Sequence, residues 1–85
     1  MDLQTNGFNS LDDEVLYYLN LAVSIRNGII TTNKETQIYY RKIYNIKFRA
    51  NVDTKVVSNI VKDYLKKQEC SEDLVESIWA LICKA

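Results

Sequence analysis

The residues of this chain best placed to do chemistry together are its cations. Nine of the eleven lie between Lys34 and Lys67. Lys34, Arg41, Lys42, Lys47 and Arg49 come first, then Lys55, Lys62, Lys66 and Lys67, with Tyr39, Tyr40, Tyr44 and Tyr64 interleaved. This segment holds only three acids, so its net charge is +6. Residues 1–33 and 68–85 each hold four acids and one base, net −3 apiece, and the whole chain is neutral. A basic face of this kind attracts phosphate backbones or acidic peptide segments. The rings beside the cations offer apolar area to bury against a partner. If residues 54–67 are helical, Lys55, Lys62 and Lys66 share one face.

Other chemistry is sparse. The absence of histidine removes the commonest general base. No GxSxG, P-loop or glycine-rich phosphate cradle is present. Asp12, Asp13 and Glu14 are adjacent, but successive helical residues point in different directions. Their position suits the positive end of a helix dipole, and the same holds for Glu72, Asp73 and Glu76. Cys70 and Cys83 lack CxxC spacing and histidine partners, so a zinc site is not expected. They read as two reduced thiols, Cys83 packed in a helix and Cys70 in a loop. The sequence thus points to a protein that is not an enzyme, with no cofactor, no metal and no small-molecule substrate.

The elements that must position the basic face follow from apolar spacing. With 47% hydrophobic and 26% charged residues the composition is globular rather than disordered. Two glycines and no proline leave too few turn residues for an all-β fold. Met1 to Asn9 shows no period and reads as a flexible arm, followed by a single helical domain over residues 10–85. Ser10, with Asp13 three positions on, resembles a capping box. Leu11, Val15, Leu19, Ala22 and Val23 then form one stripe, and Gly28 marks the end of that helix. Ile29 to Thr32 is β-branched but has no obvious partner strand, so it reads as a packed connector. Thr32 and Glu35 suggest a cap for a second helix reaching about Ala50, with Tyr39, Ile43, Ile46 and Ala50 as its stripe and Ile38 beside it. Asp53 can cap a third helix lined by Val57, Ile60, Val61, Tyr64 and Leu65. Ser71 opens a fourth, lined by Val75, Ile78, Trp79 and Ile82. Four short helices, each apolar on one side, predict an all-α fold, a compact four-helix bundle. No apolar run approaches a membrane span, and the first residues lack the order of a signal peptide, so an intracellular location is expected.

Two longer patterns cross the basic segment. Residues 46–60 resemble a helix-turn-helix. Asn51 falls where the turn needs a left-handed residue, and asparagine tolerates that conformation. Val52, Val57 and Ile60 fall at buried positions of the motif. Lys55, Ser58, Asn59 and Lys62 then face the groove of a duplex. Lys47 departs from the pattern, because the crossing of the two helices calls for a small residue there.

The second pattern spans Ile30 to Gln68. Ile30-Thr31, then Glu35-Thr36-Gln37-Ile38, then Ile43, Ile46 and Lys47 with one residue inserted, and finally residues 57–67 follow one another in order. This stretch resembles the N-terminal helical domain of transcription elongation factor TFIIS, shared with elongin A and other elongation-associated proteins. The chain carries Tyr39 where that family has glycine and Gln68 where it has tryptophan. The resemblance implies a helical module without catalysis that docks disordered segments mixing acidic and hydrophobic residues, and a nuclear location.

The leading expectation is therefore a protein-interaction module serving transcription elongation. Its partner is a protein or peptide with acidic-hydrophobic segments, and no membrane is involved. Arg41, Lys42, Lys47, Arg49, Lys55 and Lys62 supply the charge, and Tyr44 and Phe48 the exposed apolar anchors. The alternatives are a small DNA-binding regulator, using Ser58 and Asn59 as well, or an inhibitor of a host protein from a phage or mobile element, with the acidic ends as its contact surface.

Overall fold

The computed structural model describes residues 8–85, so residues 1–7 of the expected arm lie outside the described residues. Phe8 packs its ring 5.2 Å from Tyr17 and 6.1 Å from Tyr18. The elements run α1 (Leu11–Ala22), β1 (Val23–Arg26), β2 (Ile29–Thr32), α2 (Thr36–Arg49), α3 (Thr54–Lys67) and α4 (Glu72–Lys84).

The fold is mostly helical, as the spacing predicts, but it is not all-α. Where the sequence reading runs the first helix on to Gly28 and leaves Ile29–Thr32 as a connector, the structure ends the helix at Ala22 and forms an antiparallel hairpin. Arg26 faces Ile29 across a two-residue turn, and Val23 faces Thr32. The turn is Asn27-Gly28, with φ of 55° and 76°. Asn-Gly is the pair that a tight hairpin turn with two positive φ angles selects. Val23 and Ile25 before it are β-branched, so the chain leaves the helix and pairs with the β-branched run after the turn. Gly28 is required for a second reason. A Cβ there would lie 2.8 Å from the Glu69 carbonyl oxygen. The hairpin tip thus packs on the turn between α3 and α4.

Helix ends follow local chemistry. The Ser10 and Ser71 hydroxyls accept from the amides of Asp13 and Leu74 at 3.1 and 3.2 Å. The expected Thr32–Glu35 cap does not form. Asn33 takes its place, its side-chain oxygen accepting from the Glu35 amide at 2.9 Å. The Thr36 hydroxyl donates back to the Ala22 carbonyl at 2.7 Å, tying the start of α2 to the end of α1. Asp53 holds the N-cap position of α3 but makes no side-chain cap bond. At the far end of α2, Asn51 is left-handed with φ of 56°, and the Val52 amide reaches back to the Lys47 carbonyl at 3.0 Å. That closure satisfies a terminal carbonyl through a left-handed residue. Glu69, with φ of 64°, closes α3 in the same way, the Cys70 amide donating to the Leu65 carbonyl at 3.2 Å.

The core is built from the expected stripes. Val15, Leu19 and Ala22 of α1 meet Ile43 and Ile46 of α2, Val57, Val61 and Leu65 of α3, and Val75, Ile78 and Ile82 of α4. Two details differ. On α2 the buried tyrosine is Tyr40, while Tyr39 is half-buried and Ile38 exposed. Ile38 precedes Tyr40 by two positions, about 200° around the helix, so both cannot face inward. Of the cysteines, Cys70 lies in the α3–α4 loop as expected, but it is buried there, whereas Cys83, expected to be packed, is exposed on α4.

Candidate interaction surface

The structure divides the ten candidate residues among four settings. The first is the corner where α2 meets α3. Tyr44 and Phe48 stand one helical turn apart, their rings 6.3 Å from centre to centre and nearly perpendicular. The Lys47 ammonium lies 4.1 Å from the Tyr44 ring centre and 4.8 Å from that of Phe48. It donates to the Tyr44 hydroxyl at 2.8 Å and to the Thr54 hydroxyl, in the first turn of α3, at 3.0 Å. An ammonium has three donors, so this one is fixed in place with a donor to spare. Phe48 is 70% exposed. Lys47 therefore solves the crowding that the helix-turn-helix pattern raises at its position: its stem leaves the crossing and its charge is held at the surface by rings and hydroxyls.

Arg49 has a different environment. Its guanidinium pairs with the Glu14 carboxylate, whose residue is only 1% exposed. Glu14 is thus not the solvated helix-end acid expected of the Asp12-Asp13-Glu14 run. It is a buried anchor between α1 and α2. Its second oxygen is buried without a hydrogen-bond partner.

The third setting is the outer face of α3. Lys55 and Asn59 are exposed, but Ser58 is buried, so it does not face outward as the groove reading requires. Lys62 turns toward α4 and pairs with Glu76 at 3.1 Å. Arg41 and Lys42 form the fourth group, exposed on α2, with the Lys42 ammonium 5.8 Å from the Tyr18 ring centre.

That last contact reveals residues the sequence reading missed. Tyr17 and Tyr18 form a run of rings with Phe8, and Tyr18 stacks at 6.2 Å on Tyr39, which the sequence reading placed in the α2 stripe. Burial, and next the charge of Glu14, raise the Tyr18 phenol above its ordinary pKa. The signal was present as Tyr17-Tyr18 on the flank of the aliphatic stripe of α1. Thr54 was also missed, although its place one residue after the N-cap Asp53 puts it within reach of α2. Among the described residues, no helix is long and apolar enough to cross a membrane.

No protein-family profile, no curated protein and no solved structure matches this chain. The likeness to the elongation-factor domain rests on the sequence pattern from Ile30 to Gln68 alone.

Proposed function

We propose that this chain is a non-enzymatic docking module that binds a partner segment mixing acidic and hydrophobic side chains at the α2–α3 corner. The observation that carries the reading is the Tyr44–Lys47–Phe48 cluster: an ammonium locked beside a phenyl ring that is 70% exposed. A partner's apolar side chain covers the ring, and its neighbouring carboxylate takes the remaining Lys47 donor. Burying a phenyl ring fully is worth about 1.5–3 kcal/mol. A lysine already held by two hydrogen bonds loses little further freedom on binding. Lys55 adds charge next to this corner, and Arg41, three positions before Tyr44, extends it along α2. The resemblance to elongation-factor domains extends the proposal to transcription elongation and the nucleus.

A second reading has one observation of its own. Asn51 adopts the left-handed turn at helix-turn-helix spacing, with Lys55 and Asn59 exposed on the helix that follows. Against it, Ser58 is buried and Lys62 is tied to Glu76. Amide chemical-shift titrations separate the two. With short synthetic peptides of Asp, Glu, Leu and Phe, shifts at Tyr44, Lys47, Phe48 and Thr54 that persist near physiological salt are expected. Duplex DNA should give shifts that fade with salt, at a log–log slope near −0.9 per phosphate contact. Peptides that leave the corner unmoved, together with duplex binding that survives at higher salt, would reverse the ranking.

A further inference from the structure

The four helices do not begin alike. α1 and α4 start with a serine cap and with acids in the first turn. α2 and α3 start with neither: Glu35 and Asp53 make no side-chain cap bond, and no acid follows either in the first turn. At α2 the Asn33 side chain accepts only from the Glu35 amide, one residue before the helix. Thr36 and Tyr39 donate their amides to the carbonyls of Asn33 and Glu35, while the amides of Gln37 and Ile38 between them have no acceptor among the described residues. An open helix start concentrates donors and partial positive charge.

A groove of about 380 Å³ adjoins this helix start, bounded by α4 on its other side. Lys34 and Lys84 line it from the two sides, and no aspartate or glutamate does. Tyr40 lines it too, at 3% exposure, and its hydroxyl is buried without a hydrogen-bond partner. Helical side chains lean toward the N-terminus, so the Tyr40 ring runs back beneath the first turn of α2. A buried phenol without a partner is a cost that phenylalanine would avoid at the same position. Burial raises its pKa, which keeps the phenol protonated and able to donate.

We propose that this groove is an anion site for a phosphate monoester. The open amides of Gln37 and Ile38, the ammonium groups of Lys34 and Lys84, and the Tyr40 hydroxyl all donate, and they outnumber what the two oxygens of a carboxylate can use. A tetrahedral dianion offers three free oxygens and a charge that matches two lysines. The Tyr40 hydroxyl is out of water, so an anion reaches it only as exposed groove-lining side chains, such as the half-exposed Leu81 on the α4 side, give way. The exposed Glu35 carboxylate flanks the site and opposes binding, so Glu35→Gln should tighten it.

The test is an amide titration with inorganic phosphate, O-phosphoserine and a short phosphoserine peptide, against chloride at matched ionic strength. Saturable shifts at Gln37 and Ile38 are expected with the phosphates only. Equal binding of phosphate and O-phosphoserine would mark a free ester as the ligand, and tighter binding of the peptide a phosphorylated protein segment. Replacing both Lys34 and Lys84 with alanine should weaken binding by about tenfold or more, since two charge-assisted contacts are lost. Tyr40→Phe should weaken it about fivefold while leaving resistance to denaturant unchanged or higher. An absence of saturable shifts overturns the proposal. So does phosphate binding by Tyr40→Phe equal to that of the parent, which would make the phenol a packing residue alone.

Discussion

Lys47 and Arg49 are two residues apart on one helix, and in the sequence they look alike. The structure uses them in opposite ways. Lys47 is held at the surface by two rings and two hydroxyls, its charge unpaired by any carboxylate among the described residues. Arg49 is turned inward onto Glu14, a carboxylate almost wholly out of water. The side chains two positions apart point about 200° away from each other, one toward the α3 turn and one toward α1. What separates the proposed recognition residue from a structural one is the group it faces. The net +6 of the middle segment therefore overstates the charge available to a partner, because Arg49 and Lys62 are each matched by an acid from outside it, Glu14 and Glu76.

The contrast is broken most forcefully at Arg49. Arg49→Ala leaves the Glu14 carboxylate buried without its cation, and losing one partner of a buried pair costs about 3–5 kcal/mol. The arginine side chain is 36% exposed, so the lower end of that range is expected. Urea unfolding measures it. Replacing Glu14 and Arg49 together by leucine should recover most of the loss, because the uncompensated charge goes with its partner. If Arg49→Ala unfolds at the same urea concentration as the parent, Arg49 is no more structural than Lys47.

At the α2–α3 corner, stability and binding should separate. Phe48→Ala removes a ring that is 70% exposed, so stability should change by no more than about 0.5 kcal/mol. Lys47→Met removes the ammonium from both rings and from Thr54, a loss of about 1 kcal/mol. Binding of an acidic-hydrophobic peptide should fall about tenfold or more in either variant, as for anchors at the centre of an interface. Calorimetry on the two variants reads both quantities. A Phe48→Ala protein that unfolds readily, or that binds as before, would make the corner part of the scaffold.

Much of the helical frame was legible because its signals are local. Serine caps, apolar spacing and left-handed Asn51 each depend on a few neighbouring residues. The hairpin was also written locally, in Asn27-Gly28 between β-branched runs, but Gly28 serves equally well as a helix stop. Only the pairing of both flanks decides between the two uses. The candidate site was less legible. Exposure of Phe48 and the position of Lys47 follow from the face of α2, which the spacing supplies. The burial of Glu14 depends on Arg49, 35 positions away, and no local pattern encodes it. Ser58 and Lys62 were misplaced for the same reason: the groove reading leaves that side of α3 open, whereas the structure buries Ser58 and sets α4 against Lys62.

The smallest effect gives the sharpest control. Asp63 and Lys67 form an i,i+4 pair on α3 at 3.2 Å, with side chains 68% and 74% exposed. The acid lies N-terminal to the base, the favourable order on a helix, and such pairs contribute about 0.2–0.5 kcal/mol. Lys67→Met should therefore change stability by no more than that, and the difference should fade as salt rises, since exposed charges are screened over roughly 10 Å at 0.1 M salt. The Arg49→Ala difference should persist in the same salt series, because Glu14 lies beyond the reach of mobile ions. Two ion pairs from one chain, measured under one set of conditions, would then differ both in size and in salt response. If both differences shrink together with salt, Glu14 is hydrated in solution, and Arg49 would belong with Lys47 among the surface charges a partner can reach.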